Sequence, residues 1–203
     1  MRLLCKDWRR VADKFIGWKV ESGGLMMVVG ENDLSWKEVK AQEERRSLVT
    51  QVVFLLNIMK VGIRVCNRAI NLVVVEIPEG VESIGDRSFE GNSSLTIVSF
   101  PTTLRLVGVG AFAYCLSLEN VDLLHTQLQE LGDFAFLVCS ELKSMTIPDS
   151  LQTLGHDVFK NCFKLVPYHI DVGHHDNDSE SDEERVNIDV TSEVISHLRS
   201  LQS

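Results

Sequence analysis

Gly85-Asp86-Arg87-Ser88-Phe89-Glu90-Gly91-Asn92-Ser93-Ser94-Leu95-Thr96-Ile97-Val98-Ser99-Phe100-Pro101 is one copy of a unit that recurs along the middle of the chain. Its first glycine has counterparts at Gly62, Gly108, Gly132 and Gly155, spaced by 23 or 24 residues. Four residues after each glycine stand Cys66, Phe89, Phe112, Phe136 and Phe159. Three further on are Ala69, Asn92, Cys115, Cys139 and Cys162, and three beyond these runs an unbroken leucine column, Leu72, Leu95, Leu118, Leu142 and Leu165. Val75, Val98, Val121 and Met145 follow, then Ile77, Phe100, Leu123 and Ile147, then Pro78, Pro101 and Pro148, with Leu124 in place of the proline once. Val81, Leu104, Leu128 and Leu151 lead back to the next glycine. No single unit can bury these apolar columns alone, so the units must stack as a solenoid. The register extends backwards, since Val52, Phe54, Ile58 and Val61 sit 23 residues before Val75, Ile77, Val81 and Ile84. That puts the start of the repeats near residue 51.

The conformation of one turn follows from its residues. Val121-Asp122-Leu123 alternates apolar, polar, apolar, as a short half-buried strand does. The proline after it has no N–H and ends the strand. Glycine is expected to supply a turn conformation that a side chain would oppose. The short stretch from Gly85 to Gly91 predicts a single helical or 3₁₀ turn on the far side. The expected fold is therefore an α/β solenoid of about five turns over residues 51–170, with short strands on one face about 4.8 Å apart. Strand alternation sends Val74, Ile97, Asn120 and Ser144 outward in one column and Glu76, Ser99, Asp122 and Thr146 in its neighbour. These eight residues are the expected partner-binding face. Asp122, placed in solvent, is expected to tolerate charge reversal with little effect on folding.

The pattern resembles the BspA-like class of leucine-rich repeats. The resemblance is carried by Ile77-Pro78-Glu79-Gly80-Val81-Glu82-Ser83-Ile84-Gly85 with Ser88-Phe89, by Ile147-Pro148-Asp149-Ser150-Leu151-Gln152-Thr153-Leu154-Gly155, and by Val107-Gly108-Val109-Gly110-Ala111-Phe112-Ala113-Tyr114-Cys115-Leu116-Ser117-Leu118. It implies an interaction scaffold of a kind found in some bacteria and in protists and algae, and the protist and algal type is the expectation here. Many bacterial members are secreted adhesins. In this chain the apolar run after Met1-Arg2 breaks at Lys6-Asp7, too soon for a signal peptide, and the longest apolar runs are far below the roughly 20 residues that span a bilayer. The five cysteines are an odd number and form no CxxC pair, so reduced thiols in the cytoplasm or nucleus are expected.

The flanks differ from the middle. The chain of 203 residues has a net charge of −9, but residues 171–203 alone carry two basic and nine acidic residues. This acidity argues against nucleic acid as the main partner. Asp176-Asn177-Asp178-Ser179-Glu180-Ser181-Asp182-Glu183-Glu184 cannot pack, so residues 171–203 read as a disordered acidic tail, with Val190, Val194, Leu198 and Leu201 on one face of a short C-terminal helix. Ser179 and Ser181 each have an acid three residues on and fit an acid-directed kinase.

Residues 1–50 read as a capping region. It comprises an amphipathic helix with Leu4, Trp8, Val11 and Phe15 on one face, a strand over residues 25–29, a turn at Gly30–Asp33, and a capping box at Ser35-Trp36-Lys37-Glu38 opening a charged helix to Arg46. Covering the open edge of a solenoid is sufficient work for such a region. Leu3-Leu4-Cys5-Lys6-Asp7-Trp8-Arg9-Arg10-Val11-Ala12 also resembles the last helix of an F-box, which would imply a substrate-recognition subunit of a ubiquitin ligase.

Three motifs invite chemistry and have plainer readings. Gly108-Val109-Gly110-Ala111-Phe112-Ala113 fits GxGxxA, a dinucleotide-loop pattern, but Gly108 is the repeat glycine and Gly110 shares a column with Arg87, Phe134 and Asp157. Cys115, Cys139 and Cys162 stack at 24 and 23 residues, which suits buried thiols meeting loop carbonyls better than a zinc site. Asn92 in the same column is expected to act as an equivalent buried donor. His174-His175 reads as a solvated linker. No nucleophile elbow, HExxH, P-loop or paired-carboxylate pattern is present. The sequence therefore points to a non-catalytic protein-binding scaffold with no cofactor and no metal, whose partner is a protein and neither nucleic acid nor membrane.

Overall fold

The computed structural model describes residues 17–21, 24–29, 47–54 and 58–165. The repeats form a parallel β-solenoid of about four turns with a period near 23 residues, rather than the five expected. Each turn contributes two strands. The first set is β5 (Val74–Glu76), β7 (Ile97–Ser99), β9 (Asn120–Asp122) and β11 (Ser144–Thr146), each exposed, buried and then exposed or half-buried in sequence. β5 pairs with β7 and β9 with β11, both parallel, with Val74 opposite Ile97 and Asn120 opposite Ser144. This is the strand face read from the repeat.

A second ladder was not expected. β4 (Lys60–Val61), β6 (Ser83–Ile84), β8 (Leu106–Val107), β10 (Glu130–Leu131) and β12 (Thr153–Leu154) form one five-stranded parallel sheet just before the column glycines. Gly85, Gly108, Gly132 and Gly155 each donate an N–H to the carbonyl of Val61, Ile84, Val107 and Leu131 in the preceding turn, at 2.7–2.8 Å. The reason for glycine here also differs from the expectation. A left-handed φ occurs at Gly80, Gly91 and Gly110, and at none of these four. They are glycine for want of space: a Cβ built on Gly132 would lie 2.8 Å from Gly108 C and Val109 N of the turn below.

The outer segments are not helical. Among the described residues there is no α- or 3₁₀-helix. Instead the backbone takes a positive φ at two positions of each turn. One column is Arg64, Arg87, Gly110, Phe134 and Asp157, and the other is Arg68, Gly91, Tyr114, Val138 and Asn161. Alternate N–H groups therefore point along the solenoid axis and bond to the next turn. Arg87, Phe89 and Gly91 donate to the carbonyls of Val109, Ala111 and Ala113 at 2.8–2.9 Å. The intervening N–H groups close short local turns, as Ser88 does on Gly85 O and Glu90 on Arg87 O. The outer face is thus a third inter-turn ladder. Its left-handed residues recur four positions apart, at Arg87 and Gly91 in this turn.

Between the three ladders lies the core. Cys66, Phe89, Phe112 and Phe136 are fully buried, as are Leu72, Leu95, Leu118 and Leu142. The phenylalanine rings stack at 5.1, 5.3 and 6.0 Å between centroids from Phe89 to Phe159. Phe100 meets Phe112 edge-on at 5.6 Å. Such ring pairs add about 0.5–1.5 kcal/mol beyond area burial.

N-terminal to the repeats, β1 (Gly17–Glu21) and β2 (Gly24–Val29) form an antiparallel hairpin, and β2 pairs in parallel with β3 (Val49–Phe54). The strand expected at 25–29 is β2, whereas β1 was not expected. β3 keeps the repeat register, since Val52 and Phe54 pack on the core while Gln51 and Val53 are exposed. The expected helices at 1–16, 35–46 and 190–201, the turn at 30–33 and the acidic tail lie outside the described residues.

Two outcomes are expected of stability measurements. Phe136→Ala removes a ring clamped between Phe112 and Phe159, and its denaturation midpoint should fall by the equivalent of about 3–5 kcal/mol. Val138 is β-branched at φ 59°, where a left-handed conformation costs about 1–2 kcal/mol. Val138→Asn, matching Asn161 in the same column, should raise the thermal midpoint; a fall would show that the Val138 side chain contributes more by packing than its backbone loses.

Candidate functional site

The eight outward residues of the strand face are where the repeat register places them. Val74, Glu76, Ile97, Ser99, Asn120, Asp122 and Ser144 are exposed, and Thr146 is half-buried. Strand alternation does this: Val75, Val98, Val121 and Met145 between them are buried in the core. The structure brings all eight onto one face but divides them into two halves of different chemistry.

On β5 and β7 the face is apolar, with Val74 and Ile97 43% and 55% exposed and Val73 beside them 46% exposed. On β9 and β11 it is polar and internally bonded. Ser144 Oγ lies 2.6 Å from Asn120 Oδ1, and the Thr146 hydroxyl donates to Asp122 Oδ1. Asp122 Oδ1 also accepts from Leu124 N at 3.0 Å, while Thr146 Oγ1 accepts from Leu123 N and Leu124 N at 3.0 and 3.2 Å. At the rim, Lys143 pairs with Glu119 at 2.8 Å and Lys164 with Glu141 at 2.5 Å.

The cause of this network is a local departure from the repeat. Leu124 replaces the proline and so carries an N–H that Pro78, Pro101 and Pro148 lack. The same turn has one extra residue between Leu123 and Leu128. Asp122 and Thr146 take up the added donor, and Thr126 closes the longer loop through its N–H and hydroxyl to Leu123 O. This network bears directly on the expectation that Asp122 tolerates charge reversal. An arginine there would remove the acceptor of the Thr146 hydroxyl and one of the two acceptors of Leu124 N. The sequence signal was present, in the missing proline and the 24-residue spacing.

The interior column has its own order. Cys115, Cys139 and Cys162 each donate Sγ–H to a carbonyl of the preceding turn, Phe89 O, Phe112 O and Phe136 O, at 3.3, 3.3 and 3.1 Å. Burial pushes the Cys115 thiol up to about 12, with the Asn92 N–H at the sulfur opposing it. The neighbouring Cys162 thiol and burial push Cys139 up, and the Cys139 thiol pulls Cys162 down at the last position of the column. Asn92 departs from its expected role: its Oδ1 accepts the Ala69 N–H at 2.7 Å, and its Nδ2 has no hydrogen-bond partner among the described residues. Among the described residues no three His, Cys, Asp or Glu side chains are arranged to hold a metal. In the GxGxxA stretch, Gly108 N is bonded to Ile84 O and Gly110 N to Asp133 O, both at 2.8 Å, so those amides serve the stack and not a phosphate.

Asp86 and Asp133 were missed by sequence reading. Each follows a column glycine and accepts an N–H from the next turn, Val109 N at 2.9 Å and His156 N at 2.7 Å. A Gly-Asp pair at alternate repeats is the signal that marks them.

The Asp122 carboxyl is held below its ordinary range, first by the Thr146 hydroxyl and then by Leu124 N–H. A carboxylate depressed in the folded state adds stability that is complete above its unfolded value, about 3.9, and is lost as the pH falls through the folded value. Thr146→Val should therefore cost about 0.5–1.5 kcal/mol near neutrality. Its deficit against the parent protein should shrink in denaturant titrations below about pH 4, where the parent's carboxyl also loses its charge. A deficit independent of pH would place its cause in the hydroxyl's bonds to Leu123 N and Leu124 N alone.

Two bacterial proteins of known structure share the fold. One is a leucine rich cell surface protein from Faecalibacterium prausnitzii, with a TM-score of 0.54 and 15% identity over 76% of this chain and 52% of that one. The other is a leucine-rich repeat protein from Eubacterium ventriosum, with a TM-score of 0.60 and 19% identity over 76% of this chain and 41% of that one. The chain thus spans about half or less of either protein. No curated protein matches it. Residues 60–175, more than half of the chain, match the BspA type leucine rich repeat region in six copies. The chain belongs to the BspA type leucine-rich repeat family.

Proposed function

We propose that the protein is a non-catalytic scaffold that binds a protein partner through the strand face of β5, β7, β9 and β11. The observation that carries this reading is the exposed–buried–exposed order of successive strands, which sets eight side chains in two regular columns. Stacked repeats present extended surfaces of this kind, and membership of a leucine-rich repeat family supports the same use. The polar half is ordered in advance by Asn120–Ser144 and Asp122–Thr146, so contacts there lose little side-chain entropy. The F-box-like stretch Leu3–Ala12 lies outside the described residues, and no observation favours the ubiquitin-ligase reading. A cytoplasmic or nuclear setting is part of the proposal. The buried thiols of Cys115, Cys139 and Cys162, each donating to a backbone carbonyl, suit it.

The test is capture of a partner by the full chain, followed by titration with the purified partner. Ser99→Arg, on the exposed middle of the face, should leave the melting curve within about 0.5 kcal/mol and weaken binding at least tenfold. Tyr114→Arg, on the outer turns, should leave binding unchanged. The opposite result would move the binding surface to the outer turns.

A further inference from the structure

Charge and apolar surface lie side by side on the strand face. Val74 and Ile97 stand opposite each other on β5 and β7, with Val73 next to them, and all three are exposed. Two residues further along the strands the outward column holds Glu76, Ser99 and Asp122. At the other end of the strands Glu119 and Lys143 neutralise each other at 2.8 Å. Among the described residues no ion pair engages Glu76 or Asp122. Asp122 Oδ1 takes the Leu124 N–H and the Thr146 hydroxyl, which holds the carboxylate in place. Among the described residues no hydrogen bond reaches its Oδ2, which is left for an incoming donor.

The stack sets the spacing of these groups. β5 and β7 are paired, and β7 and β9 lie side by side without pairing. The turns that carry β7 and β9 are held together by the Phe89–Phe112 stack at 5.1 Å and by the amides of Arg87, Phe89 and Gly91 on the outer side. Glu76 and Asp122, two turns apart, therefore stand about 10 Å from each other. Along a strand the apolar and acidic positions are about 6.6 Å apart. A segment that follows this face along the solenoid must repeat its side chains once per turn. An α-helix does so, with a pitch of about 5.4 Å and residues i and i+7 about 10.5 Å apart. An extended segment repeats same-side residues at about 6.6 Å and is out of step by the third turn.

We infer that the protein partner presents a basic amphipathic helix along the solenoid axis, its aliphatic stripe on Val73, Val74 and Ile97 and its Lys or Arg at i and i+7 on Glu76 and Asp122. This deepens the strand-face reading and rests on it. The apolar side chains supply burial, and the two carboxylates select the sign of the partner's charge. An acidic helix of the same shape meets like charge at both positions. Ser99 lies between the two carboxylates, so a cation placed there opposes the same partner.

Fluorescence anisotropy of the full chain with labelled synthetic helices tests the proposal. The probe is a peptide of about 18 residues, long enough to be helical, with a leucine stripe and flanking Lys at i and i+7. It should bind, and its twin with Glu in place of Lys should bind about tenfold more weakly or not at all. Glu76→Gln combined with Asp122→Asn keeps the hydrogen-bond acceptors and should weaken the Lys probe about fivefold, with most of its salt dependence lost. Ile97→Ser should weaken it about tenfold with the melting curve kept. Tyr114→Arg should change nothing. Equal binding of the two twins, or of a Lys probe with its leucines scrambled, overturns the proposal. So does unchanged binding by the double variant, since the probe is then held elsewhere, as on the acidic run of residues 176–184. A captured partner distinguishes this from failure of the face itself. If Ser99→Arg releases that partner but the Lys probe cannot displace it, the basic helix is refuted and the strand face stands. If the partner is indifferent to Ser99→Arg, the strand face is refuted and the helix with it.

Discussion

Everything in this solenoid depends on how closely one turn can pass the next at the glycine column. At Gly85, Gly108, Gly132 and Gly155 the neighbouring backbone occupies the volume a β-carbon would need. That approach lets four amides bond straight down the stack and sets the spacing for the other two ladders. With the spacing fixed, the phenylalanine rings fall into near-parallel stacks, and the cysteine sulfurs fall within reach of carbonyls on neighbouring turns. A side chain at any of these glycines would push on rings, thiols and strands together, because all three hang on one translation.

The outer ladder shows how local cost and stacking gain are balanced. Among the described residues eight non-glycine residues hold a positive φ, including the β-branched Val138 and the aromatic Phe134 and Tyr114. Alone, each would prefer another conformation. In the stack these three place an N–H on a carbonyl of the next turn: Phe134 on His156 O, Val138 on Lys160 O and Tyr114 on Leu137 O, at 2.7–2.9 Å. A repeat of this kind has no stable isolated turn. Its cohesion lies in nearest-neighbour contacts, which is why its ends need other chain elements to meet them.

The sequence made equivalence legible more readily than conformation. The columns Phe89–Phe112–Phe136 and Leu95–Leu118–Leu142 place the core correctly, because a fixed period tells which residues share an environment. The same period cannot tell what backbone joins them. The outer segment reads as a helical turn because its length suits one, and six of its left-handed positions carry arginine, phenylalanine, tyrosine or valine, which hide the signal that Gly91, Gly110, Asp157 and Asn161 give. The second strand ladder is two residues long at each turn, too short for alternation to show. The outward columns of the candidate face were legible by alternation. Their division was only half legible, since side-chain type shows Val74 and Ile97 as apolar but not that Asp122 and Thr146 bond each other.

That division comes from irregularity. A solenoid made of identical turns would present the same residue at every level of a column and would discriminate poorly among partners. Here the repeat breaks at one turn. Proline gives way to Leu124, an extra residue enters before Leu128, and the freed N–H is taken up by Asp122 and Thr146. The disturbance stays within β9 and β11, because the glycine and phenylalanine columns behind them keep their spacing. Regular positions thus hold the turns in place, and irregular ones write chemistry on the face. Where a turn of this chain departs from its neighbours without disturbing Gly132 or Phe136, its outward side chains are the ones free to specify what binds.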